Sequence, residues 1–264
     1  MSRMPRRLAL VLAVASCLSA IGQTVAEKPQ ADRLAAVLKK SAEYCQRLGG
    51  AALDFVCLEE VKELTARFTP ETRVYLYDYQ FVRKGQETKE KRRLVAVDGK
   101  NVEVREAELQ AIMFRYENVL FGPVGLLSQS WQAYHEYKIV GEEGSGPEKI
   151  LVIEATPGPL PLEAHCYGRL WVREKDGAVL KIVWDQRSLG NYRDVEDWAK
   201  SHGVEARITA FCEYGVEKNG LRFPSRNYSE QAYIDSDKRK TVSALITVAY
   251  KDYKFFTVET EAKY

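Results

Sequence analysis

The chain is poor in the residue types and motifs that most catalytic and metal centres need. Its 264 residues include three histidines, and no HExxH, GxSxG, CxxC or glycine-rich phosphate motif occurs. Lysine and arginine together number 39 and are nearly balanced by 37 aspartates and glutamates, so the excess positive charge that nucleic-acid binding requires is absent. We therefore predict no catalytic activity, no resident metal or cofactor, and no nucleic-acid partner.

Long apolar runs are also absent, except at the N-terminus. Residues 1–7 carry three arginines and no acid, residues 8–21 are mostly apolar, and small residues precede and include Ala26. This order is typical of a cleaved secretory signal peptide, and the apolar run is shorter than the roughly 20 residues that span a bilayer. We predict a signal peptide at 1–26, a mature chain that starts at Glu27 without a transmembrane span, and a periplasmic location.

A second interpretation of the N-terminus stays open at this point. Residues 14–17 resemble the lipobox at which bacterial lipoproteins are cleaved and lipidated, here on Cys17. The apolar residues 18–21 would then follow the lipid anchor directly, which is unusual for such a protein. We favour plain secretion for this reason.

The mature chain contains an even number of cysteines, namely Cys45, Cys57, Cys166 and Cys212. In an exported protein this number favours disulfide bonds. We predict Cys45 with Cys57, because this pair closes a short local loop, and Cys166 with Cys212. The alternative is four buried free thiols.

The remaining sequence predicts one helix followed by many antiparallel strands. Apolar residues fall at helical spacing from Asp32 to Leu48, whereas residues 53–68 fit a helix or a strand equally well. From Arg73 to Val82 aromatic residues alternate with smaller ones, as in a strand, and short turns separate further strands up to two final ones at 239–250 and 253–261. Short helices are expected at 124–131 and 191–202. We predict a single α+β domain over residues 27–264, built on nine to eleven strands in a large antiparallel sheet that must curl or be covered.

Three segments of the C-terminal half resemble a known family. They are the hairpin Gly168–Trp184, the Gly-Leu-Arg-Phe-Pro-Ser strand at 220–225 and the closing Tyr-Lys-Asp-Tyr segment at 250–253. Their order and spacing are similar to those of the LolA-like superfamily of outer-membrane lipoprotein carriers and sorting proteins. The resemblance covers the chain from Tyr134 onward. It implies an unclosed half-barrel with an N-terminal helix and short lid helices, whose concave face holds acyl chains in the periplasm.

Aromatic and aliphatic strand residues are the candidates for lining such a cavity. Strand alternation and the resemblance together select Tyr75, Tyr77, Tyr79, Phe81, Trp171, Ile182, Trp184 and Phe211. The same residues would also serve as a filled core, and β-propensity alone explains tyrosine-rich strands. The adjacent His165 and Cys166 suggest a thiol or metal site, but no further ligand lies at zinc spacing, so we assign Cys166 to a disulfide.

Two functions follow from these observations. The first is a non-catalytic carrier that binds lipid or lipoprotein acyl chains in the half-barrel. The second is an envelope scaffold or stress sensor, in which a filled half-barrel docks another protein. Inward apolar residues serve a cavity and a core alike, so the sequence alone does not separate the two functions.

Overall fold

The computed structural model describes residues 18–66, 69–84, 87–111, 114, 116–160 and 165–256, with only the backbone described for 18–28. Residues 1–17, which hold most of the predicted signal peptide and the alternative lipidation site Cys17, lie outside the described residues. The predicted strand end at 257–261 lies outside them too.

Thirteen strands are present in the described part of the chain. They are β1 (Phe55–Thr65), β2 (Glu71–Lys84), β3 (Glu87–Val97), β4 (Lys100–Val104), β5 (His135–Glu143), β6 (Ile150–Pro157), β7 (Gly168–Arg173), β8 (Val179–Trp184), β9 (Glu205–Glu213), β10 (Val216–Lys218), β11 (Leu221–Phe223), β12 (Arg226–Ile234) and β13 (Lys240–Phe255). The α-helices are α1 (Leu18–Gly50), α2 (Gly122–Leu127), α3 (Gln129–Gln132) and α4 (Tyr192–Ser201). Among the described helices, none combines the length and hydrophobicity needed to cross a bilayer.

Eleven strands form one antiparallel sheet in the order β4-β3-β2-β1-β13-β12-β9-β8-β7-β6-β5, and β10 pairs with β11 separately. The first and last strands of this order do not pair with each other, so the sheet stays open. Almost every neighbour in space is a neighbour in sequence, as expected where short turns join the strands. The predicted fold class, an unclosed half-barrel with an N-terminal helix and short lid helices, is confirmed.

The structure decides two elements that the sequence pattern left open or misplaced. The ambiguous stretch 53–68 contains strand β1, whose residues alternate between buried and partly exposed positions. The two predicted final strands are one continuous strand, β13, which pairs with β1 over most of its length and with β12 over its first half. A long strand is required here because β13 joins the two halves of the sheet.

One face of the sheet, which we call the inner face, carries the main apolar core. Helix α1 covers it with Val37, Tyr44, Cys45 and Leu48, and α2 adds Leu126 and Leu127. The segment between β4 and α2 covers the same face near β2 and β3; its described residues 107–111, 114 and 116–118 are called the strap. A smaller core forms where α4 packs on β9. The inner face is therefore covered by helices, by loops and by the small β10–β11 hairpin, which adds Leu221 and Phe223 to the core.

The cysteines require a correction of the predicted disulfides. Cys45, Cys57, Cys166 and Cys212 are all free thiols, and neither Cys45–Cys57 nor Cys166–Cys212 is formed. Cys45 lies on α1 with its Sγ donating to the Pro123 carbonyl at 3.4 Å, and the Cys166 Sγ contacts the Ser188 carbonyl at 3.6 Å. Cys45 and Cys166 therefore each contact a backbone carbonyl and not another sulfur.

We expect thiol titration to find four thiols in the unfolded, unreduced mature chain and about one in the native protein. Cys45, Cys57 and Cys212 are buried, and burial raises the pKa of each to about 12, so their reactive thiolates are suppressed. Cys166 is exposed and should react alone. The variant Cys166→Ser should remove the native reactivity, and two or fewer thiols in the unfolded protein would restore the disulfide prediction.

Candidate functional site

The predicted aromatic row on β2 lies on the inner face. Tyr75, Tyr77, Tyr79 and Phe81 alternate with outward residues, and all four are buried in the main core. Tyr79 packs edge-on against Phe81, with ring centroids 5.6 Å apart, and Phe81 packs against Phe121 just before α2. The row is thus in contact with the roof of the sheet.

Two of the other candidates lie on the same face, at β8. Ile182 is fully buried, and Trp184 is partly buried against the main core. A Cβ placed on Gly122, the first residue of α2, would lie 3.3 Å from Ile182 and 3.5 Å from Trp184. Helix α2 therefore rests directly on these two side chains.

Trp171 and Phe211 are on the opposite, outer face, which corrects their assignment as cavity residues. Trp171 pairs with Lys181 and Phe211 with Val183, while Leu170, Ile182 and Cys212 occupy the inner positions. The Lys181 ammonium lies 4.8 Å from the Phe211 ring and 5.7 Å from the Trp171 ring. Both aromatic residues belong to a partly exposed cation–π cluster.

A buried ion pair crosses the inner face from β1 to β3. The Arg92 guanidinium donates to both carboxylate oxygens of Glu59, at 2.6 and 3.1 Å, and to Glu90 at 3.0 Å. Burial raises the pKa of Glu59, and Arg92 opposes this rise. Burial also works against the charge of Arg92, but the hydrogen bond and charge of Glu59 outweigh it and raise the Arg92 pKa. Each of the two buried side chains therefore keeps its charge only because the other compensates it.

Tyrosines surround this ion pair. The Tyr79 hydroxyl donates to Glu90 at 2.6 Å, and the Arg92 guanidinium lies 4.9 Å from the Tyr79 ring and 5.6 Å from the Tyr116 ring. Burial raises the pKa of Tyr116 and Tyr250 well above the ordinary value, and the charge of Glu59 adds to the rise. The aromatic row therefore encloses a polar group instead of lining an apolar hollow.

The strap is hydrogen-bonded to the same polar residues. The Ala107 amide donates to the Arg92 carbonyl at 3.0 Å, the Gln110 amide to the Tyr77 hydroxyl at 3.1 Å, and the Asn118 amide to Glu90 at 2.8 Å. Buried polar groups are usually satisfied in this way. The ion pair and its tyrosines thus position the strap over β2 and β3.

A cavity of about 800 Å³ opens beside the strap, and charged and polar groups dominate its walls. It is lined by Glu87, Thr88, Lys89, Glu90, Arg92, Ala107, Glu108, Leu109, Glu117 and Asn118. An acyl chain placed here would desolvate these groups without returning a hydrogen bond, which is unfavourable. This cavity does not suit a lipid tail.

A second space, of about 1070 Å³, separates α1 from α2 and α3, and we call it the interhelix groove. Its apolar wall consists of Ala35, Leu38, Ala42, Cys45, Val124 and Trp131, and polar side chains such as Lys39, Glu43 and Gln129 stand along it. The groove leads from the surface to Cys45 in the main core. An apolar wall with polar groups beside it is the usual composition of a small-molecule site.

Few polar contacts connect α1 to the lid, which we define as α2 and α3 (Gly122–Gln132). The Gln132 side chain donates to the Leu38 carbonyl of α1 at 2.9 Å and to the Leu127 carbonyl of the lid at 2.7 Å. The Cys45 thiol contacts the Pro123 carbonyl, and the Tyr137 hydroxyl donates to the Leu126 carbonyl. The lid thus rests on apolar contacts and single hydrogen bonds, which a ligand can replace at modest cost.

Sequence reasoning missed Glu59, Arg92 and the interhelix groove. A signal for Glu59 was present: in β1 the residues Phe55, Cys57 and Val61 set the inward parity, and Glu59 falls on it. A charge at an inward position predicts a buried partner. The groove left no comparable signal, because Ala35, Ala42 and Val124 are ordinary helix residues.

Comparison with known proteins finds similarity among solved structures only. No protein-family model and no curated protein sequence matches the chain. Among solved structures, a LolA superfamily protein from Nitrosomonas europaea is 13% identical with a TM-score of 0.35, over 84% of this chain and 93% of that one. An outer membrane lipoprotein-sorting protein domain from Vibrio parahaemolyticus is 11% identical with a TM-score of 0.41, over 85% and 95%.

A DUF1329 family protein from Desulfovibrio piger also matches, at 11% identity and a TM-score of 0.38, over 85% of this chain and 95% of that one. These matches, at 11–13% identity, agree with the LolA-like resemblance in the general path of the chain. With TM-scores below 0.5 they concern the chain path only and say nothing about a ligand.

Proposed function

We propose that this protein is a non-catalytic, exported binding protein that holds an acyl chain of a lipid or lipoprotein in the interhelix groove. The observation that carries the proposal is the groove itself, with its apolar wall, its volume of about 1070 Å³ and its continuity with the core under the lid. Each methylene buried there contributes about 0.8 kcal/mol. The proposal moves the ligand from the β2 tyrosines to the space between α1 and the lid.

Export to the periplasm is part of the proposal. It is supported by the order of residues 1–26, in which a basic segment precedes an apolar one. The near-neutral net charge of the chain is a second support, because a carrier without strong positive charge is not held at an anionic membrane surface. Cleavage after Ala26 would leave a mature N-terminus at Glu27. The side chains of α1 that line the groove and the core, all of them after Pro29, would remain in the mature chain.

Filling the groove tests the function. We expect Ala42→Trp to weaken binding of a fluorescent long-chain fatty acid at least about tenfold, or about 1.4 kcal/mol, because the indole occupies the space of the acyl chain. Titration of the purified mature protein measures the affinity, and mass analysis of lipids extracted with the protein from its own envelope identifies the natural load. Thermal unfolding shows whether the variant is folded.

The matched control is Ala36→Trp, on the same helix but on its exposed surface outside the groove. This variant should bind the fatty acid as the parent does. Equal affinities of Ala42→Trp and the parent would place the acyl chain elsewhere. A parent protein that neither binds fatty acid nor carries lipid from its envelope would refute the carrier function.

The second candidate is a scaffold that docks another envelope protein on a filled half-barrel. It is supported by the complete burial of Tyr77 and Tyr79, which leaves no hollow above β2. In this case the interhelix groove is a packing defect, and Ala42→Trp should change stability without any effect on lipid. The lipid extraction described above distinguishes the two functions.

A further inference from the structure

His135 and His165 meet at one end of the sheet, although 30 positions separate them in the sequence. His135 is the first residue of β5, immediately beyond the lid, and His165 lies in the connection between β6 and β7. Their Nε2 atoms are 2.5 Å apart. The two imidazoles therefore present the same ring nitrogen to a common point.

The contact on the other ring nitrogen of His135 is the kind that orients histidines bound to a metal. The His135 Nδ1 lies 2.9 Å from the Trp131 carbonyl oxygen, a contact in which Nδ1 must carry the proton and donate it. Nε2 of His135 is then unprotonated and its lone pair faces His165. Metal-binding histidines typically donate their other ring N–H to a carbonyl or carboxylate in this way.

Orientation and protonation state support the same conclusion. The His165 ring stacks on the Trp131 indole at 5.0 Å between centroids, with 7° between the planes, so its direction is set by α3. Burial lowers the pKa of His135, and burial together with the neighbouring His135 lowers the pKa of His165 to about 4. Both imidazoles are consequently neutral at pH 7, which is the ligating form.

We propose that His135 and His165 form a two-histidine site for a late divalent transition metal ion, with Zn²⁺ as the probe. Imidazole nitrogen is a preferred ligand of zinc, copper and nickel. With Zn–N bonds of about 2.0–2.1 Å at a tetrahedral angle, the two Nε2 atoms need to be about 3.3 Å apart. His165 can move outward by this difference because it lies in a loop and not in a strand.

Besides this outward movement, metal binding needs a change of tautomer at His165. Its Nε2 proton, now shared with His135, passes through solvent to Nδ1, so that both Nε2 lone pairs reach the metal and no net proton is released. No cluster of three or more metal-ligating side chains occurs among the described residues, so water completes the coordination shell. The Cys166 thiol is turned toward the Ser188 carbonyl and is not one of the ligands.

The chain contains its own control. His202 stacks on Trp198 at 3.9 Å, and its Nδ1 lies 2.8 Å from the Trp198 carbonyl oxygen, as His135 does with Trp131. His202 has no second histidine beside it in the described structure. Removing His202 therefore removes a similar imidazole without affecting the proposed site.

Isothermal titration of the untagged mature protein with ZnCl₂ at pH 7.5 tests the proposal. We expect one Zn²⁺ per chain with micromolar affinity, and binding weaker by at least about tenfold for His165→Asn and His135→Gln, each of which removes one of the two protein ligands. Zinc should raise the melting temperature of the parent and of His202→Ala but not that of the two site variants. The melting transition of each variant without zinc shows that the variant is folded. Cys166→Ser should bind as the parent does.

Two results would overturn the site. The first is parent-like affinity in both His135→Gln and His165→Asn, and the second is an absence of binding to the parent at about 100 µM zinc. Neither result depends on the proposed acyl-chain function, because zinc alone is the probe and lipid is not measured.

Discussion

Replacing Gly177 by alanine is expected to destabilise the protein by about 3 kcal/mol or more, which lowers the melting temperature by roughly 6–12 °C for a chain of this size. Gly177 lies in the turn between β7 and β8 with φ +72°, and a Cβ there would lie 2.4 Å from the Ser41 backbone nitrogen and 2.5 Å from the Lys40 carbonyl carbon. These are backbone atoms of α1, so no side chain can rotate away. The helix must move off the sheet.

The same turn holds α1 by charge. The Arg33 guanidinium donates to both carboxylate oxygens of Glu174, at 2.5 and 2.7 Å, and the Lys40 ammonium donates to the Glu174 carbonyl at 3.0 Å. Displacing α1 would weaken these contacts as well. It would also open the interhelix groove, so the variant should bind more of a hydrophobic dye than the parent.

The control for Gly177 is Gly99→Ala. Gly99 has φ +74°, and its Cβ would have nothing within 4 Å, so this variant measures the cost of the left-handed backbone alone, about 1 kcal/mol. Chemical denaturation of both variants gives the two free energies of unfolding. Equal losses in the two variants would mean that α1 does not dock on this turn.

Arg92→Met is expected to cost about 3–5 kcal/mol of the free energy of unfolding, because it leaves the buried carboxylates of Glu59 and Glu90 without their cation. Arg92 is 7% exposed and Glu59 is fully buried. Glu59→Gln should cost less, since Arg92 keeps its bond to Glu90 at 3.0 Å. The double variant Glu59→Leu/Arg92→Met should recover part of the loss, because it leaves no unpaired buried charge at Glu59.

The loss in Arg92→Met should depend on pH. Burial raises the folded-state pKa of Glu59, and the loss of Arg92 removes the strongest influence that lowers it. A raised pKa means that the folded state binds the proton more tightly, so its stabilising contribution is complete below the unfolded pKa and disappears as the pH rises through the folded one. The variant should therefore be closest to the parent at low pH and furthest from it at neutral pH.

Arg93→Met is the control for Arg92, since it removes the next arginine of the same strand. Arg93 is half-exposed on the outer face and pairs with Asp78, so its loss should cost about 0–1 kcal/mol. Urea denaturation at several pH values measures all the variants. If Arg92→Met and Arg93→Met were equally mild, the buried pair would not hold the inner face together.

The sequence determined the strands because their signals are local. Two-residue alternation in β2 and turn residues such as Asp98–Gly99 and Asn219–Gly220 set the hairpins. The segment from Leu221 to Ile234, which the pattern predicts as one strand, is divided into β11 and β12. Consecutive pairing then leads to one antiparallel sheet. The helical spacing of residues 32–48 likewise predicts the part of α1 that covers the core.

Local patterns do not decide which face of a strand is buried when both faces are apolar. In β7, Trp171 competes with Leu170 and Val172, and in β9 Phe211 competes with Ala210 and Cys212. The sequence pattern favours the larger aromatic residues as the inward ones, but the smaller residues face the core. The inward positions are the ones in register with Ile182, so Leu170 and Cys212 face the core and the two rings lie outside with Lys181.

Only the tertiary structure brought together the groups that carry the proposals. Glu59 and Arg92 are 33 positions apart, and His135 and His165 are 30 apart. Ala42 and Val124 line the same groove, and the missing Cβ of Gly177 gives α1 its close approach to the sheet. Hydrophobic periodicity reports how a segment contacts its surroundings, but it carries no information about which distant segment provides the contact. That choice depends on strand register, on the path of the loops and on the space between packed elements, which arise only when the whole chain is folded.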